Sequence, residues 1–241
     1  MSFDNVQVGK LIGQGFLDCV TAWNVTNPQV FELDGGQDVD PNAVSFATGY
    51  NQVIWGQASG SVPAGTTNTK GMKLVAEKIA PKWDNAAGQT VFQQQYTANP
   101  GINATVEAND GLGNAAITVL KNKGVGPNKV PTTGQDATEQ GMANVLKGYQ
   151  CGTVYKPIYL EAQAAASLAL FLRAGVTPPA SLVNAQTMDT TLNKNIASVY
   201  TKPIWVTKAN MATTVIKDKF VDKTQLCTDV GASVCTAAGI S

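Results

Sequence analysis

Hydrophobic residues recur along this chain in two alternating patterns, one with helical spacing and one in short apolar runs. Between residues 4 and 20 the apolar side chains stand at positions 6, 8, 11, 12, 16 and 17, close to the period of an amphipathic helix that Asp4 would cap. The run QVFEL at 29–33 then predicts a strand. Asp40 followed by Pro41 begins a helix that extends toward Trp55, with proline at the first helical position.

The same alternation continues to Lys156. Further strands are predicted at 73–77, at 103–108, before Gly134 and at 152–155, and further helices from Asp84 to 95, from Asp110 to 123, from Asp136 to 146 and over 157–174. The helix at Asp136 is predicted from the glutamate three residues later, a spacing typical of helix starts. Such alternation favours an α/β fold with a doubly wound, mostly parallel sheet. Residues 178–193 are rich in turn formers, 197–206 have the pattern of extended chain, and a short helix and a cysteine tail follow.

Composition narrows the function classes. The 241 residues are 44% hydrophobic and 14% charged with a formal net charge of zero, which is unlike a disordered tail. The sequence has no basic patch, and this argues against nucleic acid as a partner. No apolar run reaches the ~18 residues of a membrane-spanning helix. The absence of histidine removes Ser-His-Asp and Cys-His nucleophile arrangements and the usual zinc sites.

The four cysteines indicate an oxidising compartment, although Met1 opens onto SFDN without the features of a signal peptide. Cys227 and Cys235 lie close together in the tail and predict a local disulfide; two unpaired thiols in a loose terminus are the alternative. Cys19 and Cys151 are predicted to be small buried hydrophobic residues rather than reactive thiols.

A polar or aromatic residue follows each predicted strand. In chain order these residues are Asp40 and Asn42, Trp83, Asn109, Asp136, and Lys156. Each has a simpler structural explanation, because aspartates at 40, 84, 110 and 136 stand where helix caps stand, the tryptophan could be packing and the lysine a solvated end. Together they provide what a monosaccharide requires: carboxylates and amides for its hydroxyls, an aromatic ring for its C–H face, and a charged donor. Ligands of open α/β sheets bind at this end of the strands.

Four ordered blocks carry a family resemblance: SFDNVQVG at 2–9, DGGQDVDPNA at 34–43, EANDG at 107–111 and GQDATEQGMANVLKGYQCGTVYKPI from 134. The chain resembles the C-terminal half of periplasmic sugar-binding proteins of bacterial uptake systems, in particular the xylose-type branch. The resemblance implies a flavodoxin-like lobe of a type I binding protein, no enzymatic activity and no cofactor or metal. It also implies that the six strand-end residues line one wall of a sugar pocket, with Trp83 placed only by its distance from Asn109.

The resemblance further implies an organisation of the chain. Residues 1–156 would form the sugar-binding α/β domain, 157–193 a crossover helix and turn-rich segment, and 194–241 a return strand, a short helix and the tail. We expect the family's N-terminal lobe to be absent here and sugar binding to be weakened for that reason. The expected partners are a monosaccharide and an ABC transporter permease, and the expected location is periplasmic or extracytoplasmic, membrane-associated in a Gram-positive cell.

The helix at 159–174 carries a wide apolar surface. Its apolar positions are Leu160, Ala164, Leu168, Leu170, Phe171 and Leu172. Such a surface is broader than the stripe of an ordinary surface helix, and it predicts a dimer contact, a fold-back onto the same lobe, or a separate N-terminal lobe as partner.

Two other functions remain open from sequence. One is the effector-binding core of a sugar-responsive regulator, a class that shares this fold. The other is a metal-dependent enzyme that uses Asp34, Asp38 and Asp40 as oxygen ligands, because hard cations take carboxylates.

Overall fold

The computed structural model describes residues 1–240, and these divide into two compact units. We call residues 5–155, together with the chain from 204 onward, the sheet unit, and residues 1–4 with 156–203 the hairpin unit. The helices are α1 (Asn5–Ala22), α2 (Pro41–Trp55), α3 (Asn85–Ala98), α4 (Asp110–Asn122), α5 (Glu139–Lys147), α6 (Ile158–Arg173), α7 (Lys223–Val230) and α8 (Ala232–Ala237). The strands are β1 (Ser2–Phe3), β2 (Gln29–Gly35), β3 (Lys73–Ala80), β4 (Ala104–Glu107), β5 (Thr153–Tyr155), β6 (Ala185–Asp189), β7 (Lys194–Ser198), β8 (Tyr200–Thr201) and β9 (Ile204–Val206). A 3₁₀ turn lies at Pro81–Trp83 and a π-helical turn at Ala212–Ile216.

The sheet unit is built around three parallel strands in the order β3-β2-β4. Phe31 and Leu33 of β2 point to one side, where they join a core with Phe92 of α3 and Leu112 of α4. The alternate residue Glu32 points to the other side, toward α2. Because successive side chains of a strand leave on opposite faces, the sheet is covered by helices on both sides. The predicted doubly wound, mostly parallel α/β fold is confirmed.

The stretch before Gly134 extends the sheet without forming a regular strand. The 131–135 segment lies between β4 and β5, with Thr105 N donating to Pro131 O at 2.9 Å and Val154 N donating to Gly134 O at 3.1 Å. Side chains replace part of the backbone ladder, because Thr133 N donates to the Glu107 carboxylate at 2.8 Å and Glu107 N donates to the Thr133 hydroxyl at 2.8 Å. The strand predicted here is therefore an irregular segment at the position of a sheet strand. β9 then completes this edge, antiparallel to β5.

Two disulfides brace the sheet unit. Cys227–Cys235 forms within the tail, and the predicted local disulfide is confirmed. The prediction for the other two cysteines was wrong, because Cys19 of α1 is bonded to Cys151 just before β5. The two lie 132 residues apart in sequence, so no local pattern indicated that the fold brings them together.

The predicted helix caps divide into two pairs. Asp40 caps α2 by accepting from Asn42 N at 2.9 Å, and Asp84 caps α3 by accepting from Ala87 N at 2.8 Å. The other two aspartates do not cap. Asn109 caps α4 and leaves Asp110 inside its first turn, and the hydroxyl of Thr138 caps α5, which begins three residues beyond Asp136. Serine, threonine, asparagine and aspartate are near-equivalent caps, so sequence alone could not choose among neighbours.

The hairpin unit contains β1 paired with β8, the antiparallel hairpin β6–β7, and α6. Residues 185–189, which lie in the segment predicted to be turn-rich, form one strand of this hairpin, so that prediction was wrong there. The predicted helix at 157–174 is present as α6, and none of its residues is buried. Within the described residues, no helix has the length and apolar character needed to cross a membrane.

Candidate functional site

The candidate site lies at the carboxyl-terminal edge of the parallel strands in the sheet unit. β2 ends at Gly35, β3 runs into the 3₁₀ turn that ends at Trp83, and β4 leads to Asn109. The 131–135 segment, which follows β4 in the sheet, leads to Asp136. Five of the six predicted site residues therefore follow neighbouring elements at one edge of one sheet.

The Trp83 ring packs against the end of β2. A Cβ atom added to Gly35 or Gly36 would overlap the indole ring, so only glycine at these positions leaves room for it. The ring also contacts Phe46 edge-to-face, with centroids 6.3 Å apart. Lys82 and Trp83 both have positive φ, at 54° and 61°, an uncommon conformation for non-glycine residues. The turn is thus shaped to place a half-buried tryptophan over the glycine pair.

Asp40 connects this tryptophan to the start of α2. Its Oδ2 accepts from Trp83 Nε1 at 3.1 Å, while its Oδ1 accepts from Asn42 N at 2.9 Å. Asn42 is itself held by Asn5, whose Nδ2 donates to Asn42 Oδ1 at 2.8 Å. Three predicted site residues from two strand ends are thus one hydrogen-bonded group beside an aromatic ring.

Asn109 and Asp136 lie on the neighbouring strand ends. Asn109 Oδ1 accepts from Leu112 N at 2.9 Å and so caps α4. Asp136 is half-buried, and its backbone N–H donates to Val154 O at 2.9 Å. The start of α4 also lies against the start of α3, because a Cβ atom on Gly111 would meet the side chain of Asn85.

Lys156 directly follows β5 and belongs to the hairpin unit, whereas the other five predicted residues belong to the sheet unit. It follows Tyr155, which is fully buried, donates to the Asp218 carboxylate at 3.2 Å and packs on Phe220. The assignment of Lys156 to the sugar site stays a prediction from the resemblance.

Sequence reasoning missed a set of buried acids beneath this edge. Asp110 is fully buried, and burial raises its pKa to about 6 against hydrogen bonds from Thr138 and Gln150 that lower it. Burial likewise raises the pKa of Glu32 and of Glu107 to about 8. From sequence alone, acidic residues on strands and in the first turn of a helix are expected to be exposed to solvent. The available signal was their position inside otherwise apolar runs, as in QVFEL.

The three aspartates predicted as metal ligands each contact a different partner. Asp34 is buried and accepts from the hydroxyl of Tyr50, whereas Asp38 accepts from Lys82 N at 3.0 Å and Asp40 caps its helix. Among residues 1–240, no group of three or more acidic, cysteine or histidine side chains is arranged to hold a metal ion. The alternative metal site at Asp34, Asp38 and Asp40 was therefore wrong, because the alternation of β2 takes Asp34 into the interior.

Comparison with known proteins decides the family. The periplasmic binding protein domain matches residues 1–175 of this chain. The chain belongs to this family. It is 35% identical over 230 residues to the D-xylose-binding periplasmic protein of Escherichia coli, covering 94% of this chain and 62% of that protein. It is 28% identical over 232 residues to the multiple sugar-binding periplasmic protein SbpA of Azospirillum brasilense, covering 93% and 62%. The predicted family resemblance is confirmed, and the chain spans 62% of the length of these two relatives.

Solved structures agree on the fold of this periplasmic binding protein domain. An ABC transporter solute-binding protein from Clostridium phytofermentans with bound β-D-glucose has a TM-score of 0.72 and 19% identity, covering 93% of this chain and 69% of that chain. A periplasmic solute-binding protein from Actinobacillus succinogenes with bound D-allose has a TM-score of 0.67 and 21% identity, covering 88% and 62%. At these identities the similarity establishes the fold.

Proposed function

We propose that this chain is a non-enzymatic monosaccharide-binding component of an ABC-type uptake system. The observation that carries the proposal is the hydrogen-bonded group of Asp40, Asn42 and Trp83 at the ends of β2 and β3. It places a carboxylate, an amide and an indole ring side by side at the edge where open α/β sheets bind their ligands.

Each group of this edge suits one part of a sugar. Carboxylates accept from hydroxyl groups, and amides can both donate to and accept from them. Asp136 and Asn109 would add a second carboxylate and a second amide from the adjacent strand ends, and Trp83 would pack on the apolar C–H face. Lys156 would add a charge-assisted donor.

The proposed ligand class is an aldose, with D-xylose as the first candidate. The most similar of the relatives described above is named for D-xylose, whereas the similar structures hold D-glucose and D-allose. A site built from hydroxyl-binding groups discriminates among such sugars by whether each hydroxyl finds a partner, because an unpaired buried polar group is costly.

The proposed location is periplasmic or extracytoplasmic, and the proposed macromolecular partner is an ABC transporter permease. The relatives above are named as periplasmic proteins. Two disulfides favour an oxidising compartment, since they are rare in a reducing cytosol.

We also propose that α6 is covered by a partner, either a second copy of the chain or an N-terminal lobe. Leu170 is 72% exposed and Leu172 is 65% exposed, and burying such a side chain stabilises by roughly 1.5 to 3 kcal/mol. Sedimentation velocity of the wild type and of Leu170→Glu/Leu172→Glu tests the second copy. A dimer that the double variant lacks is expected, and a monomeric wild type would contradict self-association.

Isothermal titration calorimetry of the purified chain tests the ligand class. The titrants are D-xylose, D-glucose, D-allose and D-arabinose, with glycine and phosphate as matched non-sugar solutes. Saturable heats for at least one aldose, with no turnover of that sugar by chromatography, are expected. Heats for none of the four, or chemical conversion of a sugar, would contradict the proposed function.

A further inference from the structure

The turn at 135–138 that carries Asp136 is conformationally strained. Asp136 has φ of 91° and Ala137 has φ of 48°, although neither residue is glycine. Such conformations are energetically unfavourable for residues with a Cβ atom and persist only where the surrounding structure holds them in place.

One buried residue, Asp110, holds both ends of this turn, with its carboxylate at the Thr138 end and its backbone N–H at the Gln135 end. Asp110 Oδ2 accepts from Thr138 N at 2.8 Å and from Thr138 Oγ1 at 3.0 Å, and Asp110 N donates to Gln135 O at 3.0 Å. Its Oδ1 accepts from Gln150 Nε2 at 2.8 Å. Glycine is required at 141, where a Cβ atom would overlap the carboxylate. The first and the last residue of the turn are thus both bonded to the same aspartate.

The middle of the turn is fixed from the other side, by β5. Asp136 N donates to Val154 O at 2.9 Å, and Ala137 N donates to Thr153 Oγ1 at 3.1 Å. The direction in which the Asp136 side chain leaves the sheet is therefore set by Asp110 on one side and by β5 on the other.

The donors around Asp110 favour its ionised form. The Thr138 hydroxyl accepts from Gly141 N at 3.0 Å and donates to Asp110 Oδ2 at 3.0 Å. The Thr138 and Gln150 N–H groups and the Thr153 hydroxyl also converge on this carboxylate, and each of its oxygens receives at least one bond. An amide of the same shape would point N–H groups at one of these donors in either orientation.

We propose that Asp110 is a positioning residue for sugar recognition, whose buried carboxylate holds the Thr138 end of the 135–138 turn so that Asp136 is presented at the strand-end edge. This inference rests on the proposed function, since it takes Asp136 as a sugar ligand. Asp110 itself does not contact the sugar; it acts through the turn.

Asp110→Asn tests the proposal, with Glu32→Gln as the matched control. The control also replaces a fully buried carboxyl by its amide, but its contact is Trp55 and not the turn. The first measurement needs no sugar: amide hydrogen exchange by NMR should show faster exchange at Thr138 and Ala137 in Asp110→Asn and unchanged exchange there in Glu32→Gln. Unchanged exchange in both variants would overturn the proposal.

The second measurement is calorimetric affinity for D-xylose and D-glucose at pH 7.5. Asp110→Asn is expected to weaken binding by tenfold or more, and Glu32→Gln to leave it within twofold. No heat from the wild type would refute the proposed function, whereas equal affinities of wild type and Asp110→Asn would refute this inference alone.

A pH profile separates positioning from a loss of overall structure. Protonation of Asp110, whose pKa burial raises to about 6, removes its negative charge and weakens the bonds that it accepts from Thr138, so wild-type affinity should fall between pH 7 and pH 5. The side chains that contact Asp110 from the packed elements, Thr138, Gln150 and Thr153, do not titrate, and the nearest ionisable residues along those elements are Asp136 and Glu139. The fall should be absent in Asp110→Asn, and an identical fall in that variant would assign the titration to another group and overturn the proposal.

Discussion

Glu32 gives a quantitative prediction, because its carboxyl is fully buried on β2 with only part of its hydrogen-bonding capacity used. Its Oε1 accepts from Trp55 Nε1 at 2.6 Å, and its Oε2 has no hydrogen-bond partner among the described residues. Burial raises the pKa of Glu32 from 4.5 to about 8, the bond from Trp55 opposes this, and the nearby Glu77 adds to it. The folded state therefore keeps this proton well above the pH at which the unfolded chain releases it.

The sign of the effect follows from the proton count. Between pH 4.5 and about 8 the folded state holds the Glu32 proton and the unfolded state does not, so the free energy of unfolding falls as pH rises through this window. At about 1.4 kcal/mol per pH unit, the loss between pH 5 and pH 8 is about 3 to 4 kcal/mol. That is a large share of the stability of a typical domain.

Urea unfolding followed by circular dichroism at pH 5, 6, 7 and 8 measures this loss. Glu32→Gln keeps an oxygen for Trp55 and cannot ionise, so it should gain about 3 to 4 kcal/mol relative to the wild type over this range. Asp18→Asn, at an exposed position of α1, is the control and should follow the wild type. If the curves of Glu32→Gln and wild type stay parallel from pH 5 to pH 8, the folded state does not hold an additional proton on Glu32.

Two further predictions concern the ring and the disulfide. Gly35→Ala should displace the Trp83 indole, change its fluorescence and weaken aldose binding. The control Gly126→Ala, where a Cβ atom meets nothing within 4 Å, should change neither the fluorescence nor the binding. Unaltered fluorescence in Gly35→Ala would show that the ring does not rest on β2. Replacing both Cys19 and Cys151 by alanine opens a loop of 132 residues and should lower the free energy of unfolding by about 5 kcal/mol in the chain-entropy description. The urea midpoint should fall accordingly, and an unchanged midpoint would contradict a disulfide at this position.

The sequence predicted the fold wherever a pattern was local. The strand at 29–33 and the helix that Asp40 caps follow from apolar runs, turn residues and a proline. The Cys19–Cys151 bond and the side-chain bridges around Glu107 could not be predicted, because their partners are distant in sequence and meet only through the tertiary fold.

The candidate site could likewise be predicted only in part. The pairing of Asp40 with Trp83 agrees with the prediction that residues from consecutive strand ends meet, since parallel strands share one edge. The role of Asp110 was hidden, because an aspartate at the start of a helix has the same pattern whether it caps the helix or supports a neighbouring turn. Only the buried network with Thr138 separates the two.

The most direct test of sugar binding at this edge compares two helix caps. Asp40 and Asp84 each cap a helix through a backbone N–H, at 2.9 and 2.8 Å, but only Asp40 also holds Trp83. Asp40→Ala and Asp84→Ala should each cost about 1 kcal/mol of stability. Calorimetry with D-xylose and D-glucose should then show affinity reduced tenfold or more in Asp40→Ala, as expected for a lost bond to a charged group, and unchanged in Asp84→Ala. Equal sugar affinity in the two variants would contradict the site.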